Sequence, residues 1–292
     1  MSAASLLFAL VTGNQQPINA TETDVLYIHV GKTGGTFLDY WLWKQEISFT
    51  EAHMWRPSVD DSQYSRYVVW VRDPVERFRS AYDYSRAVIL TDTTGMTEEN
   101  FHRLCHSHTA NCLEPWWVLN KVLTGHAYDA EYERLILHFK DANQVAEALS
   151  TCASTSATQR ENCQLAWKLM HHPAEHINKG VGWYLHDGAF IQEHADRIFV
   201  GTLENLEEDL ERLSSWLNVS HTKKMLPRIR ASPPSNRHLS YTAQANIQAY
   251  YNKSWPASGT AGKADYVSAD YEAMRGLVRA GLLRAHQYDL LW

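Results

Sequence analysis

Val25-Leu-Tyr-Ile-His-Val30 runs directly into Gly31-Lys-Thr-Gly-Gly-Thr36, and this stretch decides the fold. The first half is a short apolar run rich in β-formers, the second a glycine-rich turn, and the segment from Phe37 to Gln45 suits a helix. Strand, loop and helix in that order turn backbone N–H groups and a helix N-terminus toward an anion, above all a phosphate. Gly34 and Gly35 let the backbone approach closely, Lys32 adds a movable cation, and Thr33 and Thr36 add hydroxyls. An ordinary glycine turn is the plainer reading of the same residues. The loop of nucleoside triphosphatases needs a glycine, four residues and then Gly-Lys-Ser/Thr. Here Leu26 stands where the first glycine belongs and the glycine pair follows the lysine, which disfavours an ATPase or a nucleotide kinase.

A second motif lies downstream. Tyr67-Val-Val-Trp-Val71 reads as a buried strand, followed by Arg72-Asp-Pro-Val-Glu-Arg-Phe-Arg-Ser-Ala-Tyr82. Pro74 suits the first turn of a helix, and Arg72 at the strand end offers a planar, permanently charged fork for phosphate oxygens. Taken alone, Arg72 reads as a partner of Asp73 or Glu76, and Ser80 as an idle surface residue.

Together the two motifs resemble the sulfotransferases that use 3′-phosphoadenosine 5′-phosphosulfate (PAPS), most of all the Golgi carbohydrate group with the heparan sulfate 2-O- and 6-O-sulfotransferases. In that group the 5′-phosphosulfate loop reads Pro-Lys-Thr-Gly-Gly-Thr, so Gly31 stands in place of a proline. A strand-end arginine and a serine on the following helix hold the 3′-phosphate there, and the matching positions are Arg72 and Ser80. More weakly, Arg197-Ile-Phe-Val-Gly-Thr-Leu-Glu-Asn-Leu-Glu-Glu-Asp-Leu210 is similar to the late strand and acidic helix of the group. Pro234-Ser-Asn-Arg-His238 loosely resembles a basic loop closing on the 3′ side, which selects Arg237. The resemblance runs in separated blocks from about Asp24 to Leu217, and residues 84–195 match poorly outside Asn111 to Gly125.

The resemblance implies a P-loop-like three-layer α/β fold with a central parallel sheet and helices on both faces. It implies PAPS as sulfuryl donor and adenosine 3′,5′-bisphosphate as product, held by Lys32, Thr33, Gly34, Gly35, Thr36, Arg72, Ser80 and Arg237. Sulfuryl transfer needs a cation at the bridging oxygen, a role that falls to Lys32. It also needs a base for the attacking hydroxyl. Carbohydrate enzymes of the group use a histidine between the two motifs; His53 is the one in that interval, and Glu51 is the alternative base. Neither a metal nor a covalent intermediate is required.

Apolar strands without alternation independently point to a parallel sheet covered on both faces, with ligands at the carboxyl ends of the strands. Strands are expected at about 25–30, 66–72, 197–203 and 134–139. Helices are expected at about 36–46, 75–88, 115–124, 141–150, 186–195, 204–217 and 269–281. Leu206, Leu210, Leu213 and Leu217 recur at helical spacing and belong to the core. Segments 154–163, 231–243 and 254–265 read as polar loops. Residues 1–22 are expected to be a leader or disordered N-terminus, and 23–292 a single domain with insertions around 90–195.

The chain has 292 residues, 45% of them hydrophobic, enough for one substantial core, and its net charge of −6 argues against a nucleic-acid partner. Any anion site is therefore local. Arg72, Arg77, Arg79 and Arg86 cluster by the second motif, where Arg72 alone matches a ligand position and the others read as solvated or salt-bridged. Four cysteines form two local pairs, Cys105 with Cys112 and Cys152 with Cys163. Disulfides of this loop size add ~2–3 kcal/mol on the chain-entropy estimate. Four reduced thiols, or a zinc site from Cys105, His106, His108 and Cys112, are the competing readings.

The apolar segment Ser5 to Val11 is too short to span a bilayer and lacks a basic flank. The resemblance points to the Golgi lumen or secretory pathway, with the cytoplasm as alternative and membrane anchoring not evident in the chain. Asn19, Asn218 and Asn252 stand in glycosylation sequons. Trp55, Trp116, Trp117 and Trp183 are candidates for stacking on sugar rings, although aromatics more often fill cores. The acceptor is a hydroxyl-bearing molecule, foremost a glycan. The alternatives are a tyrosine or small-molecule hydroxyl, and a non-catalytic protein that binds phosphoadenosine or a glycan.

Overall fold

The computed structural model of the chain describes residues 25–53, 55–91, 97, 121–173, 176–219, 238–253, 268–284 and 288. Four parallel strands form its sheet: β1 (Val25–Ile28), β2 (Phe49–Ala52), β3 (Arg66–Val71) and β4 (Ile198–Thr202), in the order β2-β1-β3-β4. The chain leaves β1 toward β2 on one side and resumes beside β1 on the other as β3. The strand order therefore reverses between β1 and β3, and in open α/β sheets ligands bind in the crevice beyond such a switch point.

Side-chain alternation divides the sheet into two buried faces. Val25, Tyr27, Val68, Trp70 and Phe199 face α1 (Gly35–Lys44), through Leu38, Trp41 and Leu42, and the helix after β4 (Leu206–Leu217), through Leu210, Leu213 and Leu217. Leu26, Ile28, Tyr67, Val69, Val71, Ile198 and Val200 face the opposite layer, which begins with α2 (Pro74–Leu90) and its Val75, Phe78, Ala81 and Tyr82. Both faces of β1, β3 and β4 are chiefly apolar, as a doubly covered parallel sheet requires, whereas the edge strand β2 carries Thr50 and the exposed Glu51. The three-layer α/β expectation holds.

The remaining helices are α3 (Ala130–His138), α4 (Ala142–Ala148), α5 (Ala157–Met170), α6 (Val181–Tyr184), α7 (Ala189–His194), α8 (the Leu206–Leu217 helix), α9 (Tyr241–Tyr251) and α10 (Asp270–Arg279). Several expectations need correction. Residues 134–139 lie mostly in α3, not in a strand: Asp129 caps its start by accepting from the N–H groups of Glu131 and Tyr132, and Tyr132, Leu135 and Ile136 are buried at helical spacing. Segment 154–163 is not a loop throughout. Ser156 caps α5, whose buried Cys163, Ala166, Leu169 and Met170 are diluted by polar residues on the outer face. Within 231–243, Ser240 caps α9, which begins at Tyr241. The helix expected over 186–195 is broken at Gly188, whose φ of 109° starts α7 afresh. Strand β2 and helix α6 went unforeseen, both being a single turn or four residues long.

Cys152 and Cys163 form a disulfide that ties the end of α4 to α5. Cys105, Cys112, His106, His108, Asn19, Trp116, Trp117, Arg237 and the apolar segment 5–11 lie outside the described residues. No described helix is long and apolar enough to cross a membrane.

Candidate functional site

Strand β1 ends at Ile28, and residues 29–36 wrap over its carboxyl end. Two positions of this loop have left-handed backbones, Gly34 at φ 94° and Lys32 at φ 70°. Glycine carries such a φ at no steric cost, whereas a lysine there is strained by about 1–2 kcal/mol. Strain of that kind collects at functional loops. Gly34 is also the N-cap of α1 and no side chain caps that terminus, the kind of helix end that suits an anion. Thr33 is turned inward: it is buried and donates its hydroxyl to the Val30 carbonyl at 2.8 Å. Its part is to brace the loop.

Arg72 leaves the carboxyl end of the neighbouring strand β3 and reaches back to the loop, where Nη1 donates to the Lys32 carbonyl at 3.3 Å. Its Nη2 lies 3.7 Å from Glu76. Burial pushes the Arg72 pKa down, and Glu76 and Glu204 oppose that shift. A half-desolvated guanidinium gains from every further anion it meets. Asp73 caps α2 by accepting from the Glu76 N–H at 2.9 Å, with Pro74 in the first turn, which fixes the helix relative to Arg72. Glu76, Ser80 and Tyr84 stand at four-residue intervals and so share one stripe of α2, and Arg72, just before the helix, meets the first of them. That stripe faces the loop, because the Lys32 Nζ lies 3.6 Å from the Tyr84 ring centroid. Ser80, largely buried, sits on it between Arg72 and Tyr84. The two motifs are thus brought together.

Beside the loop stand three imidazoles. His29 and His53 have ring centroids 4.0 Å apart, and His53 and His176 are 5.2 Å apart. A carbonyl can only accept, so the 3.1 Å contact of His53 Nδ1 with the His29 oxygen places a proton on Nδ1. The lone pair of His53 is then on Nε2. Glu51, the alternative base, is hydrogen-bonded to His29 Nδ1. Its carboxylate is committed to that ring. The Tyr184 hydroxyl donates to the His53 carbonyl, and Arg56 donates to the Trp183 carbonyl at 3.2 Å, so α6 is packed on the segment after β2. The Trp183 ring packs on Tyr184 and lies beside Arg56 and Lys179, and Trp55, on the same segment as His53, is exposed.

His29, His176 and Tyr84 were not foreseen. Reading a base only between the motifs excluded His29, which sits inside the first one, and His176 falls where the resemblance is poor. In the fold both rings lie against loop glycines: a Cβ on Gly35 would collide with the His29 ring, and one on Gly31 with the His176 ring. Burial holds the His176 pKa well below the ordinary histidine value, with His53 and Lys32 adding to the effect. His176 is therefore a neutral group at physiological pH.

Arg77 is no anion ligand. It is fully buried, pairs with Asp270 at 3.2 Å and donates to the carbonyls of His176 and Ile177. Arg79 pairs with Glu76, and Arg86 donates to the carbonyls of Ile136 and Phe139. Set against protein-family models, curated proteins and solved structures, the chain matches none.

Proposed function

We infer that the chain is a PAPS-dependent sulfotransferase acting on a carbohydrate hydroxyl. The reading rests on one observation above the rest: the loop 31–36 and Arg72 leave adjacent parallel strands at their carboxyl ends, at the switch point, and meet through the Lys32 carbonyl. A ligand with two separated phosphates fits such a pair of anion-ready ends. In this reading the loop amides and Lys32 hold the 5′-phosphosulfate, and Arg72 and Ser80 hold the 3′-phosphate. The acceptor oxygen attacks sulfur in line, the new O–S bond forms, and the bond from sulfur to the bridging oxygen breaks. The electron pair goes to the 5′-phosphate, where Lys32 meets it. The acceptor proton goes to His53 Nε2, whose lone pair the His29 carbonyl contact has already oriented.

The exposed indole of Trp55, two residues from that base, is the aromatic surface this reading offers a sugar ring. A secretory location is in keeping with the Cys152–Cys163 disulfide. The test is incubation of the chain with radiolabelled PAPS and a panel of glycans, tyrosine peptides and small alcohols, alongside calorimetry with adenosine 3′,5′-bisphosphate. Label on a glycan supports the reading. Label on a tyrosine peptide or alcohol alone moves the acceptor class, binding without any transfer makes the chain a binder, and neither binding nor transfer removes the reading altogether.

A further inference from the structure

Two carboxylates converge on a single ring nitrogen beside the loop. His29 Nδ1 is hydrogen-bonded to Glu51 Oε1 and lies 3.6 Å from Asp39 Oδ2. His29 and Asp39 are both buried, and one N–H cannot serve two carboxylates equally. Glu51 is exposed while His29 and Asp39 are buried, so the cluster opens to solvent on the Glu51 side. His53 completes the group: one ligand-capable atom from each of His29, Glu51 and His53 lies within 4.8 Å of the others.

We propose that His29, Glu51 and His53 form a binding site for a late first-row divalent metal ion, zinc foremost. Two imidazoles and one carboxylate are a known zinc donor set that keeps a fourth position for water. Imidazole donors also select zinc, copper or nickel over magnesium and calcium. The surroundings fit the outer shell such a site needs. A ligating histidine donates its other ring N–H to a carbonyl or carboxylate, and His53 Nδ1 donates to the His29 carbonyl at 3.1 Å, which leaves Nε2 to ligate. The His29 ring is held from both sides, by Tyr27 stacked at a centroid distance of 5.3 Å and by the space that Gly35 leaves without a Cβ. On binding, the Nδ1 proton of His29 leaves to water and the ring takes one up at Nε2, so the imidazole stays neutral and offers its Nδ1 lone pair to the metal; no electron is transferred.

This site does not depend on the transfer reading, but it shares a lone pair with it: an ion on His53 Nε2 and an acceptor proton exclude one another. The test takes the full chain, strips it with a chelator and titrates it with Co²⁺ read by visible absorption, then with Zn²⁺ by calorimetry against a competing chelator. One Co²⁺ per chain with the intense bands of a low-coordinate site, displaced by Zn²⁺, is the expected result. Glu51→Gln and His53→Gln should each weaken binding by more than the ~10–100-fold that loss of an outer-shell partner costs. His138→Gln, at an exposed helix end, should leave it unchanged. Circular dichroism confirms that each variant is folded. Native affinity in both folded ligand variants, a thiolate charge-transfer band, or no bound cobalt overturns the proposal.

Discussion

Lys32→Ala tests the transfer reading most directly, because the lysine has a measurable competing contact. Its Nζ lies 3.6 Å from the Tyr84 ring centroid, a cation–π contact worth ~0.5–1 kcal/mol at a partly exposed position. To meet the bridging oxygen, the ammonium must give that contact up. Removing one donor from a developing oxyanion costs about 2.7–4 kcal/mol. Less the Tyr84 contact, the net contribution is ~2–3.5 kcal/mol, or a ~30- to 400-fold fall in the rate of transfer. The loop amides and Arg72 remain, so affinity for adenosine 3′,5′-bisphosphate should change by less than ~10-fold, under ~1.4 kcal/mol. Tyr84→Leu frees the lysine and should leave the rate equal or higher. Single-turnover transfer of labelled sulfuryl, with calorimetry on the same preparations, separates the two quantities. A Lys32→Ala rate within ~3-fold of native, less than ~0.7 kcal/mol, would refute the leaving-group role whatever the affinity did.

Arg72→Ala should weaken adenosine 3′,5′-bisphosphate by ~1.5–3 kcal/mol, the range of a hydrogen bond to a charged group; unchanged calorimetry rejects the 3′-phosphate assignment. His53→Ala should lower turnover ~10²–10⁴-fold, as loss of a general base does, with bisphosphate affinity retained, and normal turnover would move the base elsewhere. The Arg77–Asp270 pair is buried on both sides, so Asp270→Leu, which strands the guanidinium, should cost ~3–5 kcal/mol in urea unfolding; a loss under ~1 kcal/mol would mean the arginine finds another partner. His176 has a pKa held well below its ordinary value by burial. Below about pH 6.5 the unfolded chain therefore takes up a proton that the folded chain refuses, and stability falls as the pH drops through that window. His176→Gln should flatten this slope, and parallel pH profiles for the two proteins would show that the ring titrates normally.

The sheet was legible because its information is local. Val25 to Ile28 and Tyr67 to Val71 are apolar at every position, and burial on both faces leaves no other reading. Arg72 and Pro74 announced the strand end and the helix start, whereas Asp73, read as an ion-pair partner of Arg72, proves to be the cap between them. Where the polar residues are many, the signal failed. In β2 the sequence is Phe-Thr-Glu-Ala, and its pairing with β1 is what makes it a strand. In α5 the buried positions are spaced by polar ones, so the segment reads as a loop until Ser156 is recognised as its cap.

The loop glycines mark the boundary of what sequence could reveal about the site. All three invite one explanation, close approach of an anion to the backbone. Only Gly34, at φ 94°, requires glycine for its conformation. Gly35 and Gly31 are needed because imidazoles fill the space where their side chains would be, His29 from the same loop and His176 from far along the chain. The second of these is a tertiary fact with no local trace. It also gives the glycine at position 31 a reason where the resembling loop has a proline: a pyrrolidine ring there would meet His176, which Arg77 anchors through the carbonyl behind it. The loop, the histidine and the buried Arg77–Asp270 pair thus form one packed unit. A substitution at Gly31 should be read first as a displacement of His176, and only then as a change in how the loop holds an anion.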